Sequence, residues 1–239
     1  MHAPLAPSVR HFGAVNWQGL WTLYLREVHR FLKVAMQTVF APVISSLLFI
    51  VVFGLSLGGR IRMVEGFHYR EFIVPGLVGM AMIQAAYSNN SASIFQARSD
   101  RYIHDVLSAP MRPWQMNLGV NMGGWARALA IGILLLAAAI PITGAPIHHP
   151  FFLLATVVFG VVLFGALGIV VGVYAETFDH HTFVNNIVIL PLAFVGGVFA
   201  DALETRFRRA FLWTAGGVLT AQAALCVASL YVSTRSRLP

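Results

Sequence analysis

The chain has 239 residues, of which 58% are hydrophobic and 10% charged, against roughly 25% charged in soluble domains. Its mean hydropathy of +0.74 excludes an ordinary water-soluble domain and makes it an integral membrane protein. The net charge of +7 comes from 16 Lys and Arg scattered over short loops with no basic aromatic surface, so nucleic acid is excluded as a partner and attraction to an anionic bilayer accounts for them.

Residues 1 to 13 hold Pro4, Pro7 and Gly13 and read as a loose tail. From Trp17 to Lys33 the pattern turns helical. Trp17, Leu20, Trp21, Tyr24, Val28 and Phe31 recur at helical spacing, and Arg26, Arg30 and Lys33 form a basic stripe elsewhere on the same helix. The expectation is an amphipathic helix lying in the membrane interface, with tryptophans at headgroup level and each cation contributing about 1 kcal/mol near an anionic leaflet. The apolar run that follows is too long for the roughly 7 to 15 residue core of a signal peptide, so the N-terminus is expected to stay attached.

Six apolar runs are long enough to cross a bilayer as helices: Val34 to Leu57, Phe72 to Ala92, Gly119 to Thr143, Phe151 to Val173, Val184 to Ala200 and Ala210 to Val232. The alternating ten-residue segments of a β-barrel are not seen in the sequence. The predicted fold is all-α: residues 1–33 as tail and interfacial helix, 34–232 as a six-span membrane domain, and 233–239 as a tail. With the N-terminus inside, cytoplasmic segments hold nine Lys and Arg and external ones six, a bias that favours cytoplasmic termini.

Within the spans, Pro42, Pro75 and Pro191 are tolerated where neighbours re-satisfy the backbone. Gly54 with Gly58, Gly119 with Gly123, and Gly168 with Gly172 have the spacing that lets helices approach closely, read here as packing and not as a dimer address. Arg127 is the one basic residue inside a span, where a central position costs about 2.5 to 3.5 kcal/mol; snorkelling or an interhelical bond is its simpler reading, a substrate contact the other. Gln37, Gln84, Asn89, Asn90, Asn185 and Asn186 are polar positions near span ends, most simply interhelical bonding groups. Gln84, Asn89 and Arg127 are the candidates to line a path. Cys226, the single cysteine, reads as an apolar packer and allows no intrachain disulfide.

Several chemistries are excluded. The only lysine, Lys33, has no preceding glycines, so no P-loop is present and ATP cannot be hydrolysed by that device. The nine Asp and Glu fall in or beside predicted loops, which counts against proton-coupled transport. His148-His149 and Asp179-His180-His181 lack the i, i+4 spacing of helical metal ligands, and no hydrolase motif occurs. No catalytic residue, metal site or directly bound cofactor is expected.

Residues 97 to 114, ARSDRYIHDVLSAPMRPW, concentrate charge between two apolar runs. On a helix, Ile103, Val106 and Leu107 share one side with Tyr102 beside them, while Arg98, Arg101 and Asp105 point elsewhere, and Pro110 and Pro113 end it. The expectation is a short amphipathic helix on the cytoplasmic side, with an apolar face to dock.

The order REVHRFLKVAMQTVFAPVISSLLFIVVFG, YREFIVPGLVGMAMIQAAYSNNSASIFQAR, LSAPMRPWQMNLGVNMGGWARAL and NIVILPLAFVGGVF resembles the membrane subunit of type 2 ABC exporters, the permease family for drugs, polysaccharides and lipo-oligosaccharides. The likeness runs over about residues 14 to 200; FIVPGL, the APM at 109 to 111 and LPLAFVGGVF carry most of it. The resemblance implies a subunit of the bacterial cytoplasmic (inner) membrane that pairs with a second copy and binds a separate ABC-type ATP-binding subunit, where ATP and magnesium reside. It makes Ala97 to Pro110 the coupling helix, with Arg98, Arg101, Tyr102, Ile103, Asp105, Val106, Leu107 and Pro110 against the ATPase. It makes Trp17 to Lys33 the connecting helix, with Trp17, Trp21, Arg26 and Arg30. No motif singles out the transported molecule.

After Phe199 the sequence departs from the family. An extracellular helical hairpin is expected there, but ADALETRFRRA leads almost directly into the last apolar run. Arg206, Arg208 and Arg209 also fall on the outer side unless Val184 to Ala200 only dips into the membrane. Two other readings stay open on this basis: an ion-coupled carrier and a non-transporting membrane subunit.

Overall fold

A computed structural model of the chain describes residues 15–56, 63–64, 67–143 and 150–191. The tails, His148-His149, Gly58, Cys226, the last expected span and the arginines at 206, 208 and 209 lie outside the described residues, as does the expected span Val184 to Ala200 beyond residue 191.

Helix α1 runs from Trp17 to Lys33. It starts where Asn16 caps it, its Oδ1 accepting from Gly19 N–H at 2.9 Å, which satisfies one of the four donors a helix start leaves over. The junction that follows is not plain α-helix. Residues Met36–Phe40 form a π-helical turn that closes with Ala41 N–H on the Met36 carbonyl, and α2 continues over Ala41–Ser56. Pro42 explains the change of register, because it has no N–H to donate to the carbonyl four residues back.

A two-residue antiparallel ladder, β1 (Met63–Val64) with β2 (Phe67–His68), precedes α3 (Tyr69–Ser99). The amphipathic helix expected from Ala97 to Pro110 is instead two pieces. Ala97 to Ser99 are the last residues of α3, Arg101 adopts a left-handed φ of 60°, and α4 covers only Ile103–Ser108. A left-handed residue cannot sit inside an α-helix, so Arg98 and Arg101 are not on the same helix as Ile103. Ala109 is extended, as the residue before Pro110 should be.

Helix α5 (Pro113–Thr143) opens on a proline, the residue whose missing N–H is harmless in a first turn. Gln115 Oε1 reaches back to accept from Arg112 N–H at 2.9 Å, half of a capping box. α6 (Pro150–Tyr174) also opens on a proline. α7 (Phe178–Val184) leads into a second π-helical turn, Asn185–Ile189, which, like the first, ends two residues before a proline, here Pro191.

The described fold is thus helical but for the small ladder. Three helical stretches are long and apolar enough to cross a membrane, at 36–53, 113–143 and 157–174. α3 is equally long yet carries Asn89, Asn90, Ser91 and Ser93, all buried. It lies at the centre, against α6, α5 and α2, where neighbours shield its polar groups. Its Val78, Ala81, Met82, Ala85 and Ala86 pack with Ala128, Ile131 and Leu135 of α5 and Ile50 of α2.

Glycines set the closest approaches. A Cβ at Gly168 would lie 2.5 Å from the Tyr87 carbonyl oxygen, and one at Gly172 2.7 Å from that of Ser91, so α6 rides on the backbone of α3. A Cβ at Gly119 would lie 2.7 Å from Leu23 Cδ2, and one at Gly123 2.4 Å from Glu27 Cβ, so the same spacing on α5 seats α1. Both pairs serve packing within one chain, as small residues do where helices must touch without a hydrophobic driving force.

Candidate functional site

Two neighbouring features hold most of the charged and polar residues singled out in the sequence. One is a surface formed by α1 and the segment around α4. The other is a buried polar seam where α1 meets α3 and α5.

On the surface, Asn16 joins the start of α1 to the far end of α4, its Nδ2 donating to the Pro110 carbonyl at 3.2 Å. A groove of about 490 Å³ runs between the two elements, lined among others by Thr22, Arg26, Tyr102, Asp105, Val106 and Met111. The Arg26 guanidinium sits 5.4 Å from the centre of the Tyr102 ring, within range of a cation–π contact. Burial pushes the Tyr102 phenol above its usual pKa, and Arg26 pulls it part of the way back. Ile103 and Val106 are half-buried, Leu107 is exposed, and Asp105, Arg101 and Pro110 are exposed.

Arg98 faces elsewhere. Its Nη1 donates to the carbonyls of Gly172 at 3.3 Å and Ala175 at 3.2 Å, and also to that of Val173. Those are the orphan acceptors at the C-terminus of α6, where a cation also meets the negative end of the helix dipole. Arg98 therefore caps α6.

The seam begins at Glu27. Not every acidic residue falls in or beside a loop: Glu27 lies in the middle of α1 and is fully buried. Its Oε1 accepts from Arg26 Nη2 at 2.9 Å, and its Oε2 from Arg30 Nε at 3.1 Å. Arg30 Nη2 also donates to the backbone carbonyl of Asn89 at 2.9 Å and to its Oδ1 at 3.1 Å. A buried carboxylate is tolerable only with such partners. The basic stripe of Arg26 and Arg30 thus turns inward in part, while Trp17 and Trp21, 72% and 56% exposed, face outward. The face of α1 that docks is Leu20, Leu23, Glu27 and Phe31, not the tryptophan face.

Further along the seam Asn90 Nδ2 donates to Asn121 Oδ1 and to the Gly165 carbonyl, both at 3.0 Å, tying α3 to α5 and α6. Arg127 is 9% exposed, and its Nε donates to the Thr38 carbonyl at 3.0 Å. Of the three candidates for a path, Asn89 and Arg127 therefore make interhelical bonds, and Gln84 is half-buried on α3. Glu27 was hidden because an acid between two arginines reads as a surface pair. The signal that reveals it is spacing: Leu20, Leu23, Glu27 and Phe31 share one helical stripe.

The family model described as ABC-2 type transporter matches residues 18–215 of the chain. Inner membrane transport permease YadH of Escherichia coli (strain K12) is 39% identical over 183 residues, covering 77% of this chain and 72% of that protein. Nodulation protein J of Rhizobium leguminosarum bv. viciae is 26% identical over 206 residues, covering 82% of this chain and 76% of that protein. Nodulation protein J of Bradyrhizobium diazoefficiens is 25% identical over 199 residues, covering 80% and 73%. No solved structure matches.

Proposed function

The chain belongs to the ABC-2 type transporter family as an inner-membrane transport permease, and from that premise we propose that it is the membrane half of an exporter whose ATP is hydrolysed by a separate subunit. In this reading the permease has six spans, cytoplasmic termini and a second copy of itself as partner. The absence of a P-loop in the sequence supports a division of labour, since a lysine on the β and γ phosphates must come from elsewhere.

The observation that carries the reading is the joining of α1 and α4 into one surface by Asn16 to Pro110 and Arg26 over Tyr102. Two short elements locked together move together. A partner pressing on exposed Leu107 and on the groove beside Val106 would displace α1 as well, and α1 is tied to α3 through Glu27, Arg30 and Asn89. ATP-driven closure of the partner pair would thereby reach the helices that line the path. The outward Trp17 and Trp21 suit the headgroup layer, consistent with α1 lying at the interface. Ile44, Leu48, Phe49 and Val52 on α2 are exposed, an apolar face suited to lipid and to a second copy.

The test is affinity purification of the solubilised chain from its native cells. A stoichiometric P-loop ATPase in the eluate is the expected result. Recovery of the chain alone under conditions that keep membrane complexes intact would overturn the division of labour.

A further inference from the structure

The carbonyl of Thr38 is in an unusual position. In an α-helix it would accept from the N–H four residues on, but that residue is Pro42 and has none. Ala41 N–H, one residue earlier, is bonded to the Met36 carbonyl in the π-helical turn. A carbonyl that loses its α-helical donor can be satisfied by one from outside the helix. Arg127 Nε supplies one from α5 at 3.0 Å. The same threonine also faces backwards: its hydroxyl donates to the carbonyl of Phe31, in the last turn of α1, at 2.9 Å and to that of the C-cap Val34 at 3.0 Å. Thr38 thus connects the end of α1, the start of α2 and the middle of α5.

We propose that Arg127 is a positioning residue that pins the α1–α2 junction to α5 by donating to the Thr38 carbonyl, whose α-helical donor Pro42 removes. A proline break with a π-helical turn is a place where a helix bends easily. Left free, that bend would absorb any displacement of α1 before it reached the membrane. Pinned, it passes the displacement to α5. This role rests on the reading of α1 as the element moved by an ATPase, whereas the pin itself is a property of the permease alone. Arg127 need not touch the transported molecule to matter for transport.

The experiment compares Arg127→Gln in two backgrounds, native and Pro42→Ala, by hydrogen exchange of the purified chain in lipid nanodiscs. Pro42→Ala returns an N–H to the helix and removes the need for the external donor. Loss of one charge-assisted bond raises the local opening equilibrium about tenfold. In the native background Arg127→Gln is expected to speed exchange between Met36 and Val43 by that factor and leave α6 unchanged. In the Pro42→Ala background the same replacement is expected to change it less than about twofold. Equal acceleration in both backgrounds, acceleration spread evenly over α5 and α6, or no acceleration would each overturn the pin. If Arg127→Gln is poorly retained in the membrane, Arg127→Lys, which keeps a cation and a donor on a different geometry, is compared across the two backgrounds in the same way. No ATPase enters this measurement, so its failure leaves the exporter reading standing, and an empty pull-down leaves the pin standing.

Discussion

Arg30 holds Glu27, one turn earlier on α1, through Nε and Nη2, and the same Nη2 reaches Asn89 on α3, so a single side chain closes an ion pair within one helix and fastens that helix to another. Removing the carboxylate leaves two half-buried arginines without their shared anionic partner. Glu27→Ala is expected to destabilise the permease by about 2–4 kcal/mol, somewhat under the cost of breaking a fully enclosed pair because Arg30 keeps some access to water. Thermal unfolding in detergent reads this directly. Glu27→Gln, which retains an acceptor, is expected to lose less; a melting point unchanged in both variants would mean the pair contributes nothing.

The glycine contacts rank themselves. At Gly132 an added methyl meets the thioether of Met82, at 2.3 Å from Sδ, and a flexible methionine can swing away. At Gly168 it meets the Tyr87 carbonyl, which cannot move without moving α3. Gly168→Ala is expected to cost about 1–3 kcal/mol and Gly132→Ala much less. Equal melting points for the two variants would contradict the close α3–α6 packing.

Replacing Ile103 and Leu107 together by Asp places charge on the half-buried and exposed positions of α4, outside the apolar helices. Insertion and folding are expected to persist, with the permease's stability within about 1 kcal/mol of native, while a co-purifying ATPase is lost. Full retention of that ATPase would show that α4 is not where it binds.

Tyr102 offers a test of the α1–α4 joint. Arg26 lies over the ring face, so Tyr102→Phe should preserve the contact and Tyr102→Ala should lose about 0.5–1 kcal/mol. The pH dependence follows from the raised phenol pKa. Below the ordinary value of about 10 the phenol is neutral in folded and unfolded chain alike. Above it the unfolded phenol ionises first, so stability falls as pH climbs toward the folded value. Tyr102→Phe is expected to remove that alkaline loss, as seen in melting curves from pH 9 to 11.

The long apolar helices were legible because length and hydropathy alone define them: α5 and α6 lie where Gly119 to Thr143 and Phe151 to Val173 were expected, α5 starting six residues earlier at Pro113 and α6 one residue earlier at Pro150. The Gly119/Gly123 and Gly168/Gly172 pairs were legible as packing because their spacing lets two helices approach closely. Other features depend on tertiary contacts that no short pattern encodes. Ser99, Asp100 and Arg101 contain no glycine or proline, so the left-handed break that shortens α4 leaves no mark. Arg98 reads as part of an amphipathic stretch, yet its partners are carbonyls of residues more than seventy positions away. The π-helical turns are half legible: Pro42 and Pro191 announce a missing N–H, but the change to a five-residue closure does not follow from them alone.

The contact of Gly168 and Gly172 with the backbone of α3 has a mechanical meaning. Two helices whose main chains touch, with side chains locked on either side, cannot shear or part without exposing carbonyl groups to hydrocarbon. α3 and α6 therefore form one stiff beam inside the permease. Any opening that lets a molecule through is therefore expected along a different seam, with this beam as the wall against which the remaining helices turn.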